Sequence, residues 1–469
     1  MVWIWFGVAA GEFRIPVGTV ASSLPDVAGT RSFGALEVSG RPFCGCLPCP
    51  NWAPPLRMKC QHRVIALLSL LSIITYLDRV CISVAGPGIQ DSLHITPQAW
   101  GWVITAFFVS YAVFEIPSGI LGDQIGPRRV LTRIVLWWSA FTALTGSVSQ
   151  YWFLVLVRFC FGAGEAGAYP NAAVVIKRWI PVRRRARAWG YVWMMSQMGG
   201  ALSPLLVVPL MLHFGWRAPF YVFGIVGILW GSVWYSWFRD RPAEMPGIGA
   251  KELEEIEDGA GDPAGHSLPW RLALGSGNLW RIMAIAACYI YALSFFQGWF
   301  QTYLVKGRGF TQANLVLSSI PYVVGALGNV LGGYASDWLC RRLDLRMGRR
   351  LVGVLGLGTA MVGVIATIMT ANGASALVFL SFVYGAIAFQ QTNITAVCLD
   401  VGGRHSGAVT GFVNTAANAA GALSSVIFGY LVTYFGSYTA PLVPMVLTLG
   451  AGTLLWMTVD PTVELFGGK

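Results

Sequence analysis

Gly119-Ile-Leu-Gly-Asp123-Gln-Ile-Gly126-Pro-Arg128-Arg129 closes one long apolar run and opens the next. Its outline returns in the second half of the chain, where Gly333-x-x-x-Asp337 is followed by Arg341 and Arg342. Later matches keep the same order. Arg183…Gly190-Tyr191-Val192 aligns with Arg404…Gly411-Phe412-Val413, Gln197 with Asn418, and Gly200-Ala201-Leu202-Ser203 with Gly421-Ala422-Leu423-Ser424. A helix that crosses a bilayer needs roughly 20 apolar residues. Working outward from the repeat, twelve such stretches are expected, at 63–88, 99–121, 129–149, 152–176, 186–210, 217–238, 281–304, 314–338, 350–371, 374–397, 405–432 and 437–458. The reading is an all-α polytopic membrane protein with twelve transmembrane helices in two pseudo-symmetric six-helix bundles, 58–238 and 281–469. A polar loop over 239–280, expected to be cytoplasmic, joins them.

Composition agrees. Of 469 residues, 55% are hydrophobic and 11% charged, against about 25% charged in a soluble domain. A soluble enzyme of this size would lack the charge to coat its surface. The net charge of +11 does not point to nucleic acid, because the charges sit in short loops between apolar spans. Arg128, Arg129 and Arg133 follow the second span, Lys177, Arg178 and Arg183 to Arg187 the fourth, and Arg341 to Arg350 the eighth, while the alternate loops hold only Arg217, Lys306 and Arg308. The excess of Lys and Arg on one side places the basic loops and both termini in the cytoplasm, in a bacterial inner membrane. Residues 1–57 are rich in Gly, Pro and Ser without amphipathic period. They read as an unstructured extension with Met58 the natural start. Cys44, Cys46 and Cys49 lack a nearby fourth ligand for a metal. The five histidines are dispersed, so neither metal nor cofactor is expected.

A charge near the bilayer centre costs at least about 2.5–3.5 kcal/mol on insertion scales. Asp78, Arg79, Arg158 and Glu165 fall inside expected spans, and Glu115 lies deeper in the second span than the Gly119 motif. Asp78 and Arg79 are adjacent, so they point about 100° apart on a helix. Arg158 and Glu165 are seven apart, on one face and about 10 Å from each other. Arg158 with Asp78 is the expected pair, and Glu165, partly desolvated, is the candidate proton binder. Ion pairs that only specify packing are the competing reading. Asn414 and Asn418, one turn apart, could bind hydroxyls or pack between helices. Trp299 and Tyr303 could close an outer gate or anchor at the interface. Gln390 to Asn393 form a polar patch expected to face a cavity.

These strings resemble known ones. The Gly119–Arg129 segment is similar to the loop signature of the major facilitator superfamily. Its Asp123 could pair with an Arg on a neighbouring helix and latch the bundles together, although Gln124 stands where that superfamily usually has a basic residue. Tyr76-Leu-Asp78-Arg79-Val-Cys-Ile-Ser83 and Arg158-Phe-Cys-Phe-Gly-Ala-Gly-Glu165-Ala-Gly-Ala-Tyr-Pro170 resemble stretches of the anion:cation symporter family. So do Trp299-Phe-Gln-Thr-Tyr303-Leu-Val-Lys306 and Arg404…Asn414. The resemblance covers about 60–460. It implies proton-binding carboxylates at Asp78 and Glu165, a substrate-carboxylate contact at Arg79, and a coupling partner at Arg158. Tyr76, Tyr111 and Gln197 would line the cavity. Cys81 and Glu115 depart from the residues many members carry, and Glu115 adds a possible titrating group.

The function expected is proton-coupled uptake of a small organic anion, a sugar acid or other carboxylate, by alternating access. The binding set would be Arg79, Tyr76, Tyr111, Gln197, Trp299, Tyr303, Asn414 and Asn418. The coupling set would be Asp78, Glu165, Arg158 and Glu115. The gating motif would be Gly119, Asp123, Gly126, Arg128, Arg129, Asp337 and Arg341. Exchange or efflux of an amphipathic compound, or a sensor without flux, are the alternatives. A membrane enzyme is the least favoured. Partners are the anion, protons and the lipid bilayer, with no nucleic acid, and a monomer is expected.

Overall fold

The structure, a computed structural model, describes residues 59–257, 275–403 and 406–463. The expectations for 1–57, and for Arg404 in its motif, lie outside the described residues. The first half contributes α1 (Cys60–Ser92), α2 (Pro97–Ile125), α3 (Pro127–Gly146), α4 (Tyr151–Glu165), α5 (Ala168–Trp179), α6 (Val182–Phe214) and α7 (Ala218–Trp237). A short helix, α8 (Ala250–Glu257), follows in the connecting segment. The second half contributes α9 (Gly277–Gly298), α10 (Ile320–Arg342), α11 (Leu345–Met369), α12 (Gly373–Gly402), α13 (Ser406–Phe435) and α14 (Leu442–Trp456). Nine helices among the described residues are long and apolar enough to cross a membrane, and Leu442–Trp456 is a shorter apolar helix.

The expected fourth span is not one helix. It breaks after Glu165, and α5 starts at Ala168. Pro170 carries no N–H, so it cannot donate to the carbonyl four residues back and the ladder is interrupted there. Asn171 ties the break to α2: its Nδ2 donates to the carbonyls of Gly167 at 2.8 Å and Ser118 at 3.1 Å. The seventh passage is also irregular, ending in a helical turn, Phe300–Thr302, and a π-turn, Tyr303–Gly307.

Helix pairing repeats between the halves. α1 packs on α6 as α9 packs on α13, α2 on α4 as α10 on α12, and α3 on α7 as α11 on α14. Between halves, α2 packs on α13 and α6 on α10. The first of these contacts needs glycine. A Cβ at Gly101 would lie 2.6 Å from the Ser425 carbonyl oxygen, and one at Gly429 would lie 2.6 Å from that of Pro97. With no side chain between them, the two backbones meet directly, as small residues allow in membrane interfaces. Outward faces stay apolar, as with Val113, Ile116 and Ile120 on α2, which are exposed.

The basic loops share one end of the molecule, since they follow alternate helices. At this basic end α8 docks onto the start of α1. Its Glu252 carboxylate, buried, accepts the Gln61 N–H at 2.8 Å. This satisfies one of the donors a helix N-terminus leaves free. Glu255 bridges Lys59 at 3.1 Å and Arg184 at 3.6 Å.

Candidate functional site: a charged centre between two bundles

Arg79 projects from α1 towards the broken end of α4, where its Nε donates to Glu165 Oε1. The Glu165 side chain is 1% exposed and that of Arg79 13%. Three rings surround the guanidinium: Tyr111, Phe107 and Tyr76, with centroids at 4.7, 5.3 and 5.5 Å. These face-on contacts hold a cation without consuming its hydrogen bonds. Arg158 lies over Phe161 at 4.5 Å and Phe107 at 5.3 Å, so two guanidinium groups flank the one Phe107 ring.

The expected Arg158–Asp78 pair is therefore not formed; Arg79 and Glu165 pair instead. The reason lies in facing directions. Asp78 turns towards α3, where its Oδ2 stands 3.5 Å from Thr142 Oγ1. Arg79, one residue on, turns towards α4, which ends at Glu165. Among the described residues Arg158 has no carboxylate within 4.0 Å. Asp78 Oδ1, Arg79 Nη2, Arg158 Nε and Glu165 Oε2 are all buried without a hydrogen-bond partner. Such groups are costly to bury unpaired, and their clustering marks a place built to be occupied.

A small, partly open cavity adjoins both arginines, lined also by Ile82, Ile104, Phe107, Phe108 and Gln297. Gln297 did not enter the sequence reading. Its signal was available, as the one amide in the apolar run Tyr291–Phe300, two residues before Trp299. Tyr169, beside the α4–α5 break, bonds Ser196 at 2.9 Å and stacks on Trp193 at 5.0 Å.

Other expected residues go elsewhere. Gln197 accepts a hydrogen bond from Tyr384 across the halves at 3.1 Å. Asn414 donates to Glu115 at 3.2 Å, again between halves, so Glu115 is a bridging carboxyl. Asn418 donates to the Asn414 carbonyl within its own helix. Trp299 is buried against Phe428, with centroids 4.6 Å apart. The Tyr303 hydroxyl accepts from Arg308 at 2.6 Å. Neither lines the cavity at Arg79. The polar patch on α12 is split: Gln390 is fully buried and Asn393 bonds Ser336 and the Arg349 carbonyl, while Thr392 is exposed and donates to the Asn329 carbonyl.

In the gating motif, Gly119 lies against Pro170 and Gly126 adopts φ +98° at the α2–α3 corner. Arg128 reaches the Tyr235 carbonyl at 2.7 Å, and its N–H meets Asp240 at 2.8 Å. Both partners belong to the same half, so Arg128 forms no latch between halves here. Asp123 lies in the last turn of α2. In the second half, Arg349 pairs with Asp400 at 3.0 Å and with Ser336, while Asp337 and Arg341 are exposed.

At the end opposite the basic loops the halves are tied together. Lys306 meets Asp91 at 2.8 Å, Gln90 donates to Thr302 at 2.9 Å, the Trp100 indole donates to the Gly298 carbonyl at 3.0 Å, and Ser83 donates to Gln301. Towards the basic end, the repeat partners Gly190 and Gly411 each look onto open space. Asn414 is exposed there and Asn418 half-buried.

Comparison with known proteins agrees with this architecture. The family model of the Major Facilitator Superfamily matches residues 68–424. A probable sulfoacetate transporter from Cupriavidus necator is 33% identical over 87% of this chain and 96% of its own length. The hexuronate transporter of Bacillus subtilis is 30% identical over 80% of this chain and 89% of its own. Among solved structures, an inward-facing, unoccupied bacterial homologue of the human lysosomal transporter Spinster superposes with a TM-score of 0.71 at 18% identity, covering 86% of this chain and 97% of that one. A D-xylose–proton symporter gives 0.70 at 16% identity, covering 86% and 98%. The last two likenesses are of fold.

Proposed function

The chain belongs to the Major Facilitator Superfamily and is a multi-pass membrane transporter; on that premise we propose that it takes up a small organic anion together with protons, by alternating access. The observation that carries the reading is the buried Arg79–Glu165 pair beside a cavity. A substrate carboxylate and the Glu165 carboxylate compete for one guanidinium. Protonating Glu165 frees Arg79, and the anion then takes its place. Two states are neutral at this pair: empty, with Arg79 on Glu165, and loaded, with Arg79 on the anion and a proton on Glu165. A half-loaded carrier leaves a buried charge unpaired, which costs several kcal/mol. Only the two neutral states cross readily between orientations, and that is coupling. Relatives described as transporters of sulfoacetate and hexuronate support an organic anion as the cargo.

We place the basic end in the cytoplasm of a bacterial inner membrane, with both termini on that side. The arrangement described is then inward-facing, because the ties lie at the far end. The charged centre comes from one chain, so a monomer is the working unit. Asp78 and Arg158 would complete the charge set, and Asp123 with Arg128 and Arg129 would latch the halves in the outward-facing state.

The test is uptake of labelled substrate into proteoliposomes under an imposed pH gradient. Accumulation that collapses when the gradient is dissipated is expected. Accumulation that persists without a proton gradient and follows sodium instead would overturn proton coupling. Labelling of an engineered cysteine at Asp91 from the cytoplasmic side would overturn the orientation.

A further inference from the structure

Two arginines, Arg158 buried and Arg79 nearly so, face one small cavity, and of the two only Arg79 holds a carboxylate. Both guanidinium groups lie 5.3 Å from the centroid of Phe107. The second carboxylate nearby, on Asp78, turns to Thr142. Arg158 Nε and Arg79 Nη2 are left with no acceptor. A protonated Glu165 and a protonated Asp78 would leave two positive charges with no protein carboxylate to answer them. One monoanion answers one of them; a dianion answers both.

The remaining wall narrows the class further. Between the arginines stand Ile82, Ile104, Phe107 and Phe108, and Gln297 is the one uncharged polar side chain. Each substrate hydroxyl needs a partner when buried, and a chain of four or five hydroxyls would find few here. Both guanidinium groups share the one Phe107 ring, so a spine that joins two acidic groups between them is short.

We propose that the substrate is a compact dianion: two acidic groups on a short, sparsely hydroxylated spine, one bound by Arg79 and the other by Arg158. Arg158 is then a specificity-determining residue, because the second acidic group has no other cation in the cavity. The proposal rests on the organic-anion reading above. With the two proton sites expected above, Glu165 and Asp78, each acidic group is matched by one proton.

The experiment measures binding of malonate, succinate, 3-sulfopropionate, butyrate and gluconate to the purified full chain, by calorimetry and by displacement. At least one dianion is expected to bind tenfold or more tighter than butyrate and gluconate. Arg158→Gln should cut that ratio by about 10- to 100-fold, since a charge-assisted, two-bond contact is lost. Arg158→Lys, which keeps the charge but not the planar fork, should lower it by less. If Arg158→Gln does not fold, the wild-type ranking and Arg158→Lys still decide. Gluconate binding tighter than every dianion, or a ratio untouched by changes at Arg158, overturns the proposal while leaving organic-anion transport standing. Failure of wild-type protein to bind or move any of the five sinks the functional reading itself.

Discussion

Glu165→Gln separates the competition scheme from a merely structural ion pair. The wild-type pair is buried on both sides. Removing one partner of such a pair costs about 3–5 kcal/mol, because the other charge stays buried and uncompensated. The amide can still accept one Arg79 hydrogen bond, so the lower end, about 3 kcal/mol, is the better figure. That penalty falls on the empty protein alone, since a bound carboxylate supplies the missing charge. Substrate should bind up to about 100-fold tighter than to wild type, as each 1.4 kcal/mol is tenfold in affinity. The pH dependence should change too. In wild type, a deprotonated Glu165 competes with substrate, so affinity falls as pH rises; in the variant that contribution disappears. Equilibrium binding of labelled substrate to purified protein, repeated at acidic and mildly alkaline pH, reads both effects. In vesicles the variant should exchange labelled for unlabelled substrate but not accumulate it. Weaker binding than wild type, or accumulation driven by a pH gradient, would refute the reasoning and move coupling to Asp78.

Further outcomes follow from other contacts. Arg79→Lys should weaken substrate binding by 100-fold or more, because an ammonium cannot replace the planar fork; calorimetry with the same ligands checks it, and unchanged affinity removes Arg79 from the site. Gly101→Val should prevent the ends of α2 and α13 from meeting, given the 2.6 Å approach to the Ser425 carbonyl. Cysteines introduced at the Asp91 end should then label faster than in the parent, and an unaltered rate would show that this contact does not hold the end closed. Glu252→Ala leaves the Gln61 N–H without its carboxylate and should cost about 0.5–2 kcal/mol, as loss of a helix cap does; a melting temperature equal to wild type would contradict this.

Much of the architecture was legible because a bilayer imposes one length and one polarity on each crossing. The repeated Gly119 and Gly333 motifs and the alternation of basic loops are direct readings of that constraint. The charged residues could be found for the same reason, since Arg79, Arg158 and Glu165 stand in runs that otherwise exclude charge. Their pairing was not legible. Arg158 and Glu165 share a helical face in the sequence, yet the chain breaks just after Glu165 and turns its carboxylate to Arg79. Gln297 was overlooked because amides in apolar helices more often join helices than line cavities. The one-turn spacing of Trp299 and Tyr303 fits an outer gate, an interfacial anchor or a binding wall, and an aromatic one turn from another packs equally well inside a bundle, as Trp299 does on Phe428. α8 had its own signal, Leu253 and Ile256 three apart among acids, hidden by the expectation of a featureless linker.

The shared guanidinium also fixes how the transporter responds to its surroundings. In the proposed cycle each acidic group that enters is matched by one proton, the first on Glu165, which gives up Arg79, and the second on Asp78. Cargo charge and proton charge therefore cancel on every turn, whatever the length of the cargo. On the proposed coupling the cycle is electrically silent: substrate should evoke no current at a voltage-clamped bilayer, and a current would contradict it. Membrane potential then contributes nothing, and the acidity of the outside medium sets the ceiling. One pH unit is worth about 1.36 kcal/mol per proton, roughly a tenfold inward gradient for a monoanion and a hundredfold for a dianion. In a medium at the pH of the cytoplasm the same machine would merely equilibrate its substrate.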